Sequence, residues 1–202
     1  MENLDFCKNK CAVTFGRYAL FTNAHLSTVK TCLKYWDELH IGIIYNNIPK
    51  RYTICKKKRE RWNDFYILCN KNNEKNKNFL SVSQRKEMIC SVINENNLSH
   101  RVFVHIIDRP EYNPIDFNEI FPSIKYDLVF PNCNNENNEF DLVRNNAFCD
   151  ILERKIYEVE PKIKIHTSEI KKYVFEGKSL YDFIPKSVIK KLEDTKLIGK
   201  VI

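Results

Sequence analysis

The chain has 202 residues, 43% of them hydrophobic and 12% aromatic, enough to bury one good core and the size of one domain. Its net charge of +7 favours anionic partners, but asparagine and lysine are abundant throughout, and a nucleoside triphosphate satisfies that excess as well as nucleic acid does. No apolar run approaches the roughly eighteen residues of a membrane span, and Met1 to Phe6 carries no signal-type apolar region, so the expectation is a cytoplasmic protein without a membrane partner.

The first elements in chain order form a βαβ unit. A short apolar run, Cys11 to Phe15, meets Gly16, and a polar loop follows. Leu26, Val29, Leu33 and Trp36 then fall on one helical face, and after Asp37-Glu38 a second apolar run, Leu39 to Ile44, reads as a buried strand. The first loop thereby sits at the carboxyl end of the first strand. Nucleotides bind in that crevice of open α/β sheets, because the next helix presents unpaired N–H groups and a positive dipole end. If the helix opens near Asn23, Thr22 and His25 both lie at its N-terminus and address one anion. Threonine offers a hydroxyl, and histidine a ring N–H that can be charged near neutral pH. Such a pair suits the charge that grows on a phosphate under in-line attack.

Residues 45–78 break this rhythm with basic runs, Lys50-Arg51 and Lys56 to Arg59, then Arg61-Trp62 and an Asn/Lys tract. The segment reads as an insertion of roughly thirty residues, either a basic lid over phosphates with Trp62 or Phe65 stacking on a base or a solvated excursion. Met88, Ile89, Val92 and Ile93 then mark a helix over 81–93, Arg101 to Ile107 a third strand, and Tyr126 to Phe130 a fourth. Asn132 stands in the turn after the fourth strand, Asp141 to Leu152 suits a helix, and Lys155 to Val159 a fifth strand. Near the end Thr167 and Ser168 are good helix-start residues whose hydroxyls and N–H groups can hold phosphate, and Lys171 adds a charge one turn on. The eight cysteines are scattered without a Cys-x-x-Cys pair, which predicts reduced thiols; Cys7 and Cys11 read as a flexible thiol pair. The expected fold is α/β, a Rossmann-like open parallel sheet with helices on both faces, a nucleotide crevice at the C-terminal strand ends and a C-terminal helical segment. One domain over 1–202, interrupted at 45–78, accounts for the whole chain.

Thr22-Asn23-Ala24-His25 resembles the (Thr/His)-x-Gly-His signature of the nucleotidylyltransferase superfamily, with Ala24 in place of glycine. Gly16-Arg17-Tyr18 and Asp37 to Ile43 are similar to runs of the nicotinamide-mononucleotide adenylyltransferases, above all the archaeal type, and Thr22 to Leu26 also resembles phosphopantetheine adenylyltransferases. Phe79 to Arg85 resembles a family helix opening. Pro110 to Phe117 resembles the segment that carries a ring-stacking tryptophan in the family and lacks one here. Ile165 to Val188 resembles the C-terminal signature of the same enzymes, with Lys171 where arginine is usual.

The resemblance implies transfer of AMP from ATP to a phosphate monoester, nicotinamide or nicotinate mononucleotide, with release of pyrophosphate. It implies catalytic roles for His25, Thr22 and Lys171. Nucleotide binding falls to Gly16, Arg17, Tyr18, Ala24, His25, Asn132, Thr167, Ser168 and Lys171, and acceptor binding to Trp62, Arg85, Tyr112 and Phe117. Mg²⁺ is expected on the ATP phosphates, with no metal ligands from the chain. A homo-oligomer is left open. The alternatives are a cytidylyl- or phosphopantetheine adenylyltransferase-like enzyme, although the cytidylyltransferase signature is absent, and a nucleotide-binding regulator that has lost catalysis. Nucleic-acid binding through Lys50 to Arg61 ranks last.

Overall fold

A computed structural model describes residues 9–45, 80–132, 139–165, 170, 172 and 176–196. The expected insertion apart from Tyr45, and with it Trp62, Thr167, Ser168 and Lys171, lies outside the described residues.

The strands are β1 (Cys11–Gly16), β2 (Glu38–Ile44), β3 (Val102–Ile107), β4 (Tyr126–Pro131) and β5 (Ile156–Val159). They form one five-stranded sheet in the order β3-β2-β1-β4-β5, and every pairing is parallel. Ala12 stands beside Leu39, and Val13 lies between His40 and Leu128. The central strands read as continuous apolar runs because both faces of a parallel sheet are covered. Alternate residues serve the two layers. Ala12, Leu39, Ile41 and Val129 face a core shared with α1 (Asn23–Cys32), α2 (Val82–Glu95) and α5 (Lys186–Asp194). Val13, Phe15, Leu128 and Phe130 face a second core with Phe117 of α3 (Pro114–Ile120) and Phe148 of α4 (Glu139–Leu152).

From β1 the chain winds outward to β2 and β3, then returns past β1 to β4 and β5. The direction of winding therefore reverses between β1 and β4, and a crevice opens outside their carboxyl ends. Helix α1 ends at Cys32, earlier than its apolar stripe suggests. A turn delivers Trp36 into the core instead, where its indole N–H donates to Asp127 Oδ2 at 2.9 Å. Helix α3 was not anticipated: seven residues are too few for a periodic stripe, although Asn113 caps it and Pro114 opens it. No helix among the described residues is long and apolar enough to cross a membrane.

Candidate active site

Helix α1 begins one short loop after β1, with Thr22 as its N-cap in an extended conformation and His25 at the third helical position. The His25 N–H donates to Thr22 Oγ1 at 3.4 Å, and the Thr22 N–H donates to His25 Nδ1 at 3.0 Å, a reciprocal capping box in which histidine takes the usual glutamate's place. Thr22 Oγ1 also lies 2.9 Å from Nδ1. Because Nδ1 accepts the Thr22 N–H, the neutral imidazole carries its proton on Nε2.

The ring is held on two sides. Phe21 stacks on it at 5.4 Å and 27°, and Tyr18 meets it edge-on at 5.3 Å. Tyr18 reaches this position through a left-handed backbone, φ 45°, rare for an aromatic residue. A Cβ at Gly16 would stand 3.4 Å from the Tyr18 ring, an ordinary contact, so the ring folds back over Gly16 at packing distance. Burial pushes the Tyr18 phenol far above its ordinary range, and a hydrogen bond with Thr14 pulls only partly back. The phenol is thus fixed as a neutral structural group. Ala24 is half-buried in the first turn of α1, and its carbonyl accepts from Thr28 Oγ1 at 3.1 Å.

Two guanidinium groups converge on the loop. Arg17 is exposed, whereas Arg85, brought in by α2, is 2% exposed and donates from Nη1 to the carbonyls of Arg17 and Ile44. Arg85 thereby ties together the carboxyl ends of β1 and β2. No carboxylate pairs with it among the described residues, and its buried Nε has no partner there. Burial, and then the neighbouring charge of Arg17, push its pKa down. A buried cation without an anion is costly, and a bound phosphate is the kind of group that relieves it.

At the end of β4, Asn132 donates from Nδ2 to Glu158 Oε2 at 2.7 Å, and Asn145 donates to Glu158 Oε1 at 2.5 Å. Arg144 packs over Phe130 and donates to the carbonyl of Pro131 at 3.3 Å, and its charge is felt at Tyr18. At the ends of β2 and β3 a cleft of ≈ 360 Å³ is lined by Tyr45, Val82, Ile107, Asp108, Asp116 and Phe117, among others. Phe117 reaches this cleft although its ring is mostly in the core, edge-on to Phe15 at 5.2 Å. Tyr112 is buried in that same core, beneath the Arg109 guanidinium. Next to it Glu111 is 2% exposed: Oε1 accepts from Arg109 Nε at 2.6 Å, and Oε2 has no partner among the described residues. Burial pushes this carboxyl up, opposed by Arg109 and more weakly by Arg17.

The structure thus brings Gly16, Arg17, Tyr18, Thr22, Ala24, His25 and Arg85 together around the end of β1, with Asn132 across the switch point on β4 and Phe117 at the side cleft. Sequence reasoning passed over Phe21, Glu111 and Arg144. For Arg144 the signal was a lone cation on an expected helix; for Phe21 and Glu111 it was masked by more conspicuous neighbours.

No protein-family model matches the sequence, and no curated protein does. Solved structures do match in fold. The bifunctional NMN adenylyltransferase/ADP ribose pyrophosphatase from Francisella tularensis, complexed with AMP and Mn ion, superposes with a TM-score of 0.56 at 14% identity over 96% of this chain. Another crystal structure of that protein gives a TM-score of 0.57 at 13% identity, again over 96% of this chain. In both cases the match spans 52% of the neighbour, so this chain corresponds to about half of its length. The likeness is one of fold: a Rossmann-like parallel α/β sheet.

Proposed function

We propose that the chain is a nucleotidyltransferase that moves AMP from ATP onto the phosphate of an acceptor, nicotinamide or nicotinate mononucleotide, and releases pyrophosphate. The observation that carries this reading is the Thr22–His25 pair at the N-terminus of α1, placed at the switch point between β1 and β4.

An acceptor phosphate oxygen attacks the α-phosphorus of ATP, a new P–O–P bridge forms, and the bond to the β-phosphate breaks. No nucleophilic side chain is needed. Nε2–H of His25 donates to the α-phosphate oxygen on which charge accumulates, while Thr22 fixes the ring from the other side. The positive dipole end of α1 and the guanidinium of Arg17 address the triphosphate. Arg85 supplies the cation for the acceptor phosphate, which accounts for its burial without a carboxylate among the described residues. Thr167, Ser168 and Lys171 belong to this reading as further triphosphate ligands.

Among the described residues, the groups around the end of β1 are donors and cations, not a carboxylate cage. That donor set fits Mg²⁺ arriving on the nucleotide, where the ion would supply charge neutralisation for the leaving pyrophosphate. Placement of the Mg²⁺ is left to the phosphates, and the chain's own residues orient them.

Pyrophosphate release is the assay, with ATP and, separately, nicotinamide mononucleotide, nicotinate mononucleotide and phosphopantetheine. His25→Ala is expected to lower kcat/KM at least tenfold, about 1.4 kcal/mol of barrier; a smaller loss removes His25 from its role. Turnover with CTP alone would assign a cytidylyltransferase, and tight ATP binding without turnover on any acceptor would assign a regulator.

A further inference from the structure

A second cavity, of ≈ 420 Å³, runs along α1 between that helix and the chain that leaves β5. It reaches Lys34, past the C-terminal end of α1 and so at the opposite end from Thr22 and His25. Among the described residues, none that the adenylyl-transfer reading assigns to a ligand lines it. Three ammonium groups come to it from two walls: Lys30 and Lys34, one turn apart, from the α1 side, and Lys162 from the segment after β5. Leu26 and Ile163 make its apolar part. Two hydroxyls line it as well, and both belong to buried residues, Ser27 at 8% exposed and Thr31 at 7%. Ser27 Oγ accepts the Ile163 N–H at 3.1 Å, which leaves its own proton to donate. Thr31 Oγ1 donates to the Ser27 carbonyl at 2.9 Å, which leaves its oxygen to accept.

We propose that this cavity is a second nucleotide site, which binds a nucleoside diphosphate without reacting it. Lysine ammoniums are compact charges on flexible stems, and three of them from two walls suit a diphosphate better than a single carboxylate. A ribose diol both donates and accepts, which matches what Ser27 and Thr31 leave open. The base then lies against Leu26 and Ile163, in a space large enough for a ring and its sugar. Such binding is independent of adenylyl transfer in the crevice. An occupant ties α1 to the chain that leads on to Thr167 and Ser168.

Calorimetric titration with ADP counts the sites. The wild type is expected to bind two molecules per chain, one in the crevice and one here. Lys30→Gln/Lys34→Gln should keep one site and weaken the other at least tenfold; both lysines are exposed, and glutamine suits a helix. Lys162→Gln, on the opposite wall, should weaken the same site. Lys186→Gln/Lys190→Gln removes the same charge from exposed positions on α5 and should leave both sites as they are. A single wild-type site that the Lys30→Gln/Lys34→Gln and Lys162→Gln variants weaken also supports the proposal, and it is then the crevice reading that has failed. Sites indifferent to Lys30→Gln/Lys34→Gln or to Lys162→Gln, equal weakening by the α5 variant, or no binding of ADP overturns it.

Discussion

The backbone N–H of Asn23 donates to the carbonyl of Phe183 at 2.7 Å, and its side-chain amide reaches the carbonyls of Tyr181 and Asp182 at 3.2 and 3.1 Å. The first residue of α1 is thus fastened to the 3₁₀ turn Leu180–Asp182 near the end of the chain. One of the orphan N–H groups that every helix start presents is used internally here. The early loop and the late segment share a frame, as any joint action on one triphosphate requires.

Asn23→Ala removes the two side-chain bonds and keeps the backbone one. Two neutral, exposed hydrogen bonds contribute about 1 kcal/mol together, so urea unfolding is expected to show a loss of that size. The stronger expectation concerns coupling. Loosening the turn should raise KM for ATP more than it lowers kcat. An unchanged KM would mean that the fastening serves stability alone.

Thr22 makes a second, sharper case. It is fully buried, and its hydroxyl both caps α1 and lies against His25 Nδ1. Thr22→Val keeps the volume and removes the oxygen, which should cost about 1 kcal/mol of stability as a lost cap. Thr22→Ser should restore it. If His25 works through the Nε2–H form, the valine variant should also lower kcat at least tenfold and broaden the pH profile, and serine should rescue both. Full activity in the valine variant would separate the cap from the chemistry.

How much of this was legible beforehand differs between element and site. The strands were readable because Ala12, Val13, Leu39, Ile41, Leu128 and Val129 are covered on both faces and leave unbroken apolar runs. The start of α1 was readable because a cap is a local event: Thr22 and His25 are three residues apart. Helix α3 was too short to show a period. Arg85 was assigned to acceptor binding by the resemblance, but its bonds to the carbonyls of Arg17 and Ile44 join residues 68 and 41 positions away, which no local pattern encodes. The same holds for Asn132, whose tie to Glu158 depends on β4 and β5 being neighbours. Tyr112 looked like a candidate for ring stacking, and only the packing shows it inside the second core.

Gly42 tests the packing between sheet and cleft. A Cβ there would stand 2.5 Å from Ile107 Cδ1 and 3.1 Å from Phe15 Cβ. The isoleucine tip can rotate, but Phe15 is pinned by Phe117, Phe130 and Phe148. Overpacking of this kind costs about 1–3 kcal/mol, against about 0.4–1 kcal/mol gained by stiffening the unfolded chain. Gly42→Ala is therefore expected to lose about 1 kcal/mol in urea unfolding. Because Ile107 lines the same cleft as Phe117, which the resemblance assigns to acceptor binding, KM for the acceptor should rise while KM for ATP stays put. A variant as stable as the wild type would show that the sheet yields more readily than its packing implies.

The last expectation concerns acid. At the end of the sheet away from the crevice, His40 Nδ1 lies 2.9 Å from His105 Nε2 with the rings stacked at 17°. Burial pushes both pKa values down; Lys125 lowers His40 further against the pull of Glu38, and His40 and Lys86 lower His105 further. In the unfolded chain both rings titrate near about 6.5. Below that pH the unfolded state binds more protons than the native state, so stability present above pH about 6.5 is lost as pH falls through the native pKa values. Glu111 acts in the opposite sense: its raised carboxyl lets the native state hold an extra proton above the ordinary carboxylate range. The histidine contribution is therefore read as a difference. Between pH 7.5 and 5.5 the unfolding free energy of the wild type should fall more steeply than that of His40→Gln/His105→Gln. Parallel slopes would show that the pair takes up its protons as readily in the fold as in the unfolded chain.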